Sequence, residues 1–417
     1  MTTQRSTEAT MSTHAAGQYV PELPSLTARE RDELEQLLAD LVRINSINPW
    51  ISPDGPAEGE IAAFISAWLR EIPGVSVRID EAAAGRPSVI AHVPGLSDGP
   101  HLCLNVHTDT VACASWPDTA FVPRRRGDDL IGLGVADNKA QCAALMMLVR
   151  RLASTPSAGP VTAILSADEE GASIGARHVV KNFTADACIN LEPHGIGTAL
   201  VTHQGFGSFD LVVRAAAAHG VMDGAPDAGV QLASLITGLA RIDREILAPS
   251  ANQLTGKPFF HTSFIRGGTD WGTYPAELTL GFEMGTNPGE TLQDRVAEIE
   301  DMIRDVRENH HPELRAELIV QLENEPFTAS GHEALLAAYS AATEAVTGSP
   351  AQAIGVNTWT DAAIMQGAGI PTIGAGATGG NMHAIDEWIN LPSVSQLVEV
   401  LEHSCHLYGA VGAGDGR

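Results

Sequence analysis

Seven side chains of this sequence are of types that bind divalent cations or move protons. His107 and Asp109 stand two apart in "NVHTDTV", Asp137 lies in "GLGVADNKAQ" and Glu169 and Glu170 are adjacent in "DEEGASIG". Glu192 ends "CINLEPHG", and His383 lies in "GATGGNMHAIDEW". Residues two apart on a strand share a face, so His107 could ligate a metal while Asp109 orients its ring. Two histidines with several carboxylates suit Zn, Mn or Co better than Ca, which prefers oxygen ligands. A bridging carboxylate could hold two such ions around one water of lowered pKa. In the Glu169–Glu170 pair, one residue would ligate while its neighbour, turned away, acts as base. Each position also has a plainer reading. The His-x-Asp pair would then be surface residues at a strand's end, Asp137 a helix cap, Glu170 a solvated loop acid and His383 an ordinary loop histidine. What favours chemistry is their joint placement, because most of them follow apolar strand-like runs. In an open α/β sheet the crevice beyond the carboxyl ends of the strands is where ligands bind.

The elements that would position them can be read from periodicity. "LTARERDELEQLLADLVRI" has helical spacing with Thr27 as a cap, and "GEIAAFISAWLREI" repeats it. "VSVRID", "SVIAHV", "HLCLNVH", "VTAILSA" and "ACINLEPH" read as strands, and "DNKAQCAALMMLVRRLAS" as a long buried helix. This alternation predicts an α/β catalytic domain, a mixed central sheet flanked by helices. Near residue 203 the texture changes to alternating strands and amphipathic helices ("GSFDLVVRAAA", "AELTLGFEMG", "TLQDRVAEIEDMIRDVREN"). We therefore expect a flexible tail over 1–25, a catalytic domain over 26–202 and 313–417, and a smaller inserted α+β domain over 203–312. The alternating "SFDLVVRAA" reads as an exposed edge. With the amphipathic helix it predicts a self-complementary surface, and so a homodimer or larger symmetric assembly.

The formal net charge is −26, from 51 acids against 25 basic residues. Such a surface repels phosphate backbones and anionic lipid, so neither nucleic acid nor membrane is an expected partner; a small molecule is. The five cysteines show no paired spacing, which points to a reducing, cytoplasmic setting. The N-terminal residues lack the apolar core of a secretory signal, and no apolar run approaches the roughly 20 residues of a bilayer span.

With these motifs in hand, the sequence resembles the M20 metallopeptidase and aminoacylase family, which includes carboxypeptidase G2, acetylornithine deacetylase and succinyl-diaminopimelate desuccinylase. The carrying motifs are "HTDTV", "GLGVADNKA", "ADEEGASIGAR", "NLEPHG", "AAAAHG" and "GGNMHAIDEWI", in the family's order. The resemblance implies that His107, Asp137 and Glu192 bind one divalent transition metal (Mn, Zn or Co). Asp137, Glu170 and His383 would bind a second, giving one or two ions per subunit. It implies Glu169 as general base and acid, Asp109 as the group orienting His107, and a cis peptide after Asp137. It also implies that the insert is a lid and dimerisation domain whose His219 stabilises an oxyanion, often across the dimer interface.

The pattern breaks in the lid. Family members that cleave N-acyl amino acids usually carry an Asn and an Arg there that bind the substrate carboxylate. The matching positions of "IRGGTDWGTYPAELTLGFEMGTNPGE" hold Gly272 and Gly285. Without the guanidinium a bidentate clamp is lost. Arg266 is the nearest cation in sequence that could substitute, or it is an ordinary lid arginine. The leading expectation is a metal-dependent amidohydrolase or deacylase acting on a small carboxylated substrate. The alternative is an aminohydrolase that replaces an aromatic amino group by hydroxyl, as 5-nitroanthranilate aminohydrolase of the same family does. A non-catalytic metal-binding scaffold is least favoured, since it has no use for Glu169.

Overall fold

The computed structural model describes residues 23–113, 115–116, 119–222 and 224–411. The expected tail falls almost wholly outside them. The main sheet has nine strands, and its parallel heart is Leu102–His107 between Val161–Ser166 and Ala187–Leu191, followed by Thr372–Ala375. Every residue of these four strands is buried. That follows from their near-continuous apolar runs, which suit a sheet covered on both faces. Ser76–Ala83 and Arg86–Val93 add an antiparallel margin, so the sheet is mixed as expected. The helix Ala140–Ser154 is buried along most of its length and packs against Leu391–Gly409. The first helix, Ala28–Arg43, starts at a capping box in which Thr27 and Glu30 satisfy each other's backbone N–H groups.

A second module has its own core. Its four-stranded antiparallel sheet runs in the order Phe260–Gly267, Glu277–Thr286, Gly205–Arg214, Arg315–Asn324, covered on one face by the helices Ala228–Ile242 and Leu292–Asn309. Phe209, Leu211 and Val213 alternate inward to meet Phe282, Leu235 and Ile303. Each such side chain contributes roughly 1.5–3 kcal/mol by leaving water. Two sequence expectations need correction here. The module does not end at 312, because Arg315–Asn324 pairs along Gly205–Arg214. Gly205–Arg214 is also no edge: it lies between two partners, and the edges are Phe260–Gly267 and Arg315–Asn324. A strand with one covered face alternates in the same way whether it is central or at the margin. Two smaller sheets complete the fold. One is the ribbon Ala218–His219 with Thr273–Tyr274. The other is a flap of Gly379–Gly380, Trp388–Asn390, Asp129–Ile131 and Arg124–Arg126 that frames the His383 loop.

Candidate metal centre

His107 is the last residue of its strand, and its Nε2 lies 3.0 Å from Asp137 Oδ1, 3.8 Å from Glu192 Oε2 and 3.9 Å from Glu169 Oε2. The other oxygen of Asp137, Oδ2, lies 3.3 Å from His383 Nε2, which is 3.2 Å from Glu170 Oε1. The structure thus brings His107, Asp137 and Glu192 into one cluster and Asp137, Glu170 and His383 into another. Asp137 is common to both, with one oxygen facing each histidine.

Local structure fixes each side chain. Asp137 sits between strand and helix, and its peptide bond to Asn138 is cis. Glu387 reaches across from the far end of the chain and accepts the backbone N–H groups of Gly134, Ala136 and Asp137 at 2.8, 2.8 and 2.9 Å. Burial and the nearby Asp137 push the Glu387 carboxyl up to about 7. The His383 loop turns through three non-glycine residues of positive φ, Asn381, His383 and Asp386. Such backbone is held only where the surroundings determine it, here by the flap sheet and by the ion pair of Asp386 with Arg124 at 2.7 Å.

Asp109 stands beside His107, and its contacts reach further than that one ring. His107 Nδ1 lies 3.1 Å from the main-chain oxygen of Asp109 and 3.5 Å from its Oδ1. The Asp109 carboxylate also accepts the N–H groups of Glu169 and Glu170, each at 3.1 Å, and the Asn48 amide at 2.7 Å. It therefore ties the histidine strand to the loop bearing the glutamate pair. Asn48 also donates to Asp168 at 3.0 Å, and Arg86 bridges Asp168 to Glu58. Sequence reading missed Asn48, Glu387, Asp168, Arg86 and Glu58. Their signal is a contact across tens to hundreds of residues, with no local spacing to reveal it.

The electrostatics are those of crowded acid. Burial pushes Glu169 well up, Glu192 and Glu170 add to the rise, and His107 only partly offsets it. Glu192 is raised well by burial and by Asp137 despite His107. Glu170 rises by burial and the neighbouring Asp137. Burial alone would lower His107, yet Glu192 and Glu169 hold its ring well above the usual range. His383, opposed by burial, is pushed up to about 11 by Asp137 and Glu170. Carboxylates this close disfavour each other's charge, and a divalent cation would relieve that repulsion. The mixed nitrogen and oxygen donors fit a first-row transition ion.

Two expected residues stand apart. His219 is exposed on its ribbon, where its Nδ1 accepts from the Val221 N–H at 3.3 Å. Arg266 is exposed on the strand Phe260–Gly267, its guanidinium 3.9 Å from the Phe264 ring centroid. Among the described residues of one chain, His219 joins neither candidate cluster. Gly285 has no room for a side chain: a Cβ there would lie 2.9 Å from the Phe259 backbone nitrogen and 3.2 Å from its ring.

Comparison with known proteins follows the same lines. A succinyl-diaminopimelate desuccinylase of Parvibaculum lavamentivorans is 30% identical over 158 residues, covering 36% of this chain and 39% of that protein. One from Gluconacetobacter diazotrophicus is 27% identical over 383 residues, 87% of this chain and 94% of that protein. The chain therefore spans well under two thirds of the first relative's length and nearly all of the second's. The fold is shared with a metallo-carboxypeptidase from Sulfolobus solfataricus, at a TM-score of 0.75 and 17% identity, over 91% of this chain and 100% of that one. The model of the peptidase family M20/M25/M40 matches residues 103–406, a stretch that holds both candidate ligand clusters and the inserted module. On that match the chain belongs to peptidase family M20/M25/M40.

Proposed function

We propose that this member of a peptidase family is a metal-dependent hydrolase that cleaves a C–N bond in a small carboxylated substrate, as an amidohydrolase or deacylase. The observation that carries the reading is Asp137 with one oxygen toward each histidine, at 3.0 and 3.3 Å, beside the adjacent Glu169 and Glu170. His107, Asp137 and Glu192 would hold one ion of Mn, Zn or Co, and Asp137, Glu170 and His383 a second. Bound there, such ions supply Lewis acidity toward a carbonyl oxygen and make water more acidic. Glu169 is the proton carrier: it is 9% exposed, deep beside His107, and its surroundings raise its proton affinity. It takes a proton from water as the water oxygen bonds to the carbonyl carbon, and returns it to nitrogen as the C–N bond breaks. His219, exposed in its own chain, stabilises the developing oxyanion from a second copy.

That role requires assembly. We propose a homodimer or larger assembly built through the inserted module, which acts as lid and dimerisation domain. The free edge Phe260–Gly267 supports this surface. All five cysteines are free thiols, which suits a cytoplasmic enzyme. No helix among the described residues is long and apolar enough to cross a membrane.

A second reading has an observation of its own. The strand position that would carry a carboxylate-binding arginine is Gly285, closed off by Phe259. A substrate gripped elsewhere, such as an aromatic amine whose amino group is replaced by hydroxyl, fits that change. The deciding experiment runs an N-acetyl amino acid panel and 5-nitroanthranilate in parallel, before and after chelation and after adding back Mn, Zn or Co. Hydrolysis that survives exhaustive metal removal would defeat both readings.

A further inference from the structure

Large apolar side chains are exposed next to the two segments that carry Glu170 and His383. On one side the loop before the helix Gly59–Arg70 presents Trp50, 58% exposed, although Asn48 two residues earlier is fully buried. The loop is pinned from beneath. The Asn48 amide bonds Asp109 and Asp168, and its Oδ1 accepts the Trp50 N–H at 2.9 Å. The indole stem stands beside Gly171, the residue after Glu170: a Cβ on Gly171 would lie 3.2 Å from Trp50 Cβ and 2.7 Å from Asp168 Oδ1. On the other side, Met382 at 41% and Ile385 at 45% exposure flank His383. Glu170, which precedes Gly171, and His383, which follows Met382, are 3.2 Å apart. Trp271 and Met222 of the inserted module are exposed as well; what sets Trp50 and Met382 apart is their place beside the Glu170–His383 pair.

We infer that Trp50 and Met382 form an apolar collar at the mouth of the metal cleft that receives an aromatic ring of the substrate. The inference rests on the proposed hydrolase reading and narrows its substrate class. An indole face offers offset stacking, and a thioether makes favourable contacts with ring edges. Because Asn48 holds the loop in place, little ordering is left to oppose binding.

The test separates the collar from the reaction. A Mn-loaded Glu169→Gln enzyme is titrated by calorimetry with N-acetylphenylalanine and N-acetylalanine. The expected result is about 10-fold tighter binding of the aromatic ligand, the scale of one good stacking contact. Trp50→Ala in the same background reduces that preference to within about 2-fold, Trp50→Phe keeps most of it, and Met382→Ala lowers it partly. Unchanged melting temperatures establish that the variants are folded, as expected for exposed positions. Equal or undetectable binding of the two ligands, or a preference that survives Trp50→Ala, overturns the collar. Turnover of the same pair by the enzyme with Glu169 intact tests the reaction. Ring preference in binding without hydrolysis of either compound leaves the collar standing and removes the amide reading. Hydrolysis of both with no preference in binding does the reverse.

Discussion

Glu169 and Glu170 are neighbours in the chain and differ in what surrounds their carboxyl groups. Glu170 faces His383 at 3.2 Å and Glu169 lies 3.9 Å from His107. We predict that Glu169→Gln retains its metal and loses turnover by about 10²-fold or more, the range expected for removal of a general base. Glu170→Gln instead weakens one of the two metal sites. Metal content and kcat measured on both variants check the division, and the opposite pattern would reverse the roles. Glu387→Ala is predicted to leave three backbone N–H groups without their acceptor. Its cost is about 1–3 kcal/mol of stability, with a loss of bound metal although no ligand has been touched; melting and metal analysis together test this. The ligand-type residues were legible because histidine and carboxylates recur at the ends of apolar runs. Asn48 and Glu387 were not, because each is an ordinary polar residue until the fold brings it to its partner.

At the scale of elements, hydrophobic period found five strands of the main sheet and the helices Ala28–Arg43, Gly59–Arg70 and Ala140–Ser154, but not the strands Thr198–His203 and Gln352–Val356; Thr27, read as a cap, is one, paired with Glu30. Period could not rank strands within a sheet. Gly205–Arg214 read as an edge and is central, because alternation reports one covered face and says nothing of neighbours. The same limit applies to Gly285. Sequence alone invites Gly285→Arg as a restored clamp, but the strand leaves 2.9 Å between a Cβ there and the Phe259 nitrogen. We predict that Gly285→Arg destabilises the inserted module by about 1–3 kcal/mol, as overpacking does, with no gain on N-acyl amino acids; thermal melting and kinetics decide. Within the same module Leu235→Ala, at a fully buried position, is expected to cost about 2–5 kcal/mol.

For the whole molecule, the buried acids make cation binding a source of stability. A cation at about 1,000 times its Kd, bound only by the folded state, stabilises by about 4 kcal/mol. Chelation should therefore lower the melting temperature as well as activity, and Mn should restore both. Light scattering tests the assembly: a strictly monomeric protein with full activity would reject a His219 supplied from a second copy. The Glu387 clamp has a further consequence, in the order of events during synthesis. Gly134, Ala136 and Asp137 leave the ribosome some 250 residues before the carboxylate that holds them. Until then those three N–H groups have only water to bond, and His383 is missing as well. His107, Asp137 and Glu192 are all made by residue 192, so on the proposed reading it is the second cluster, completed by His383, that fills late.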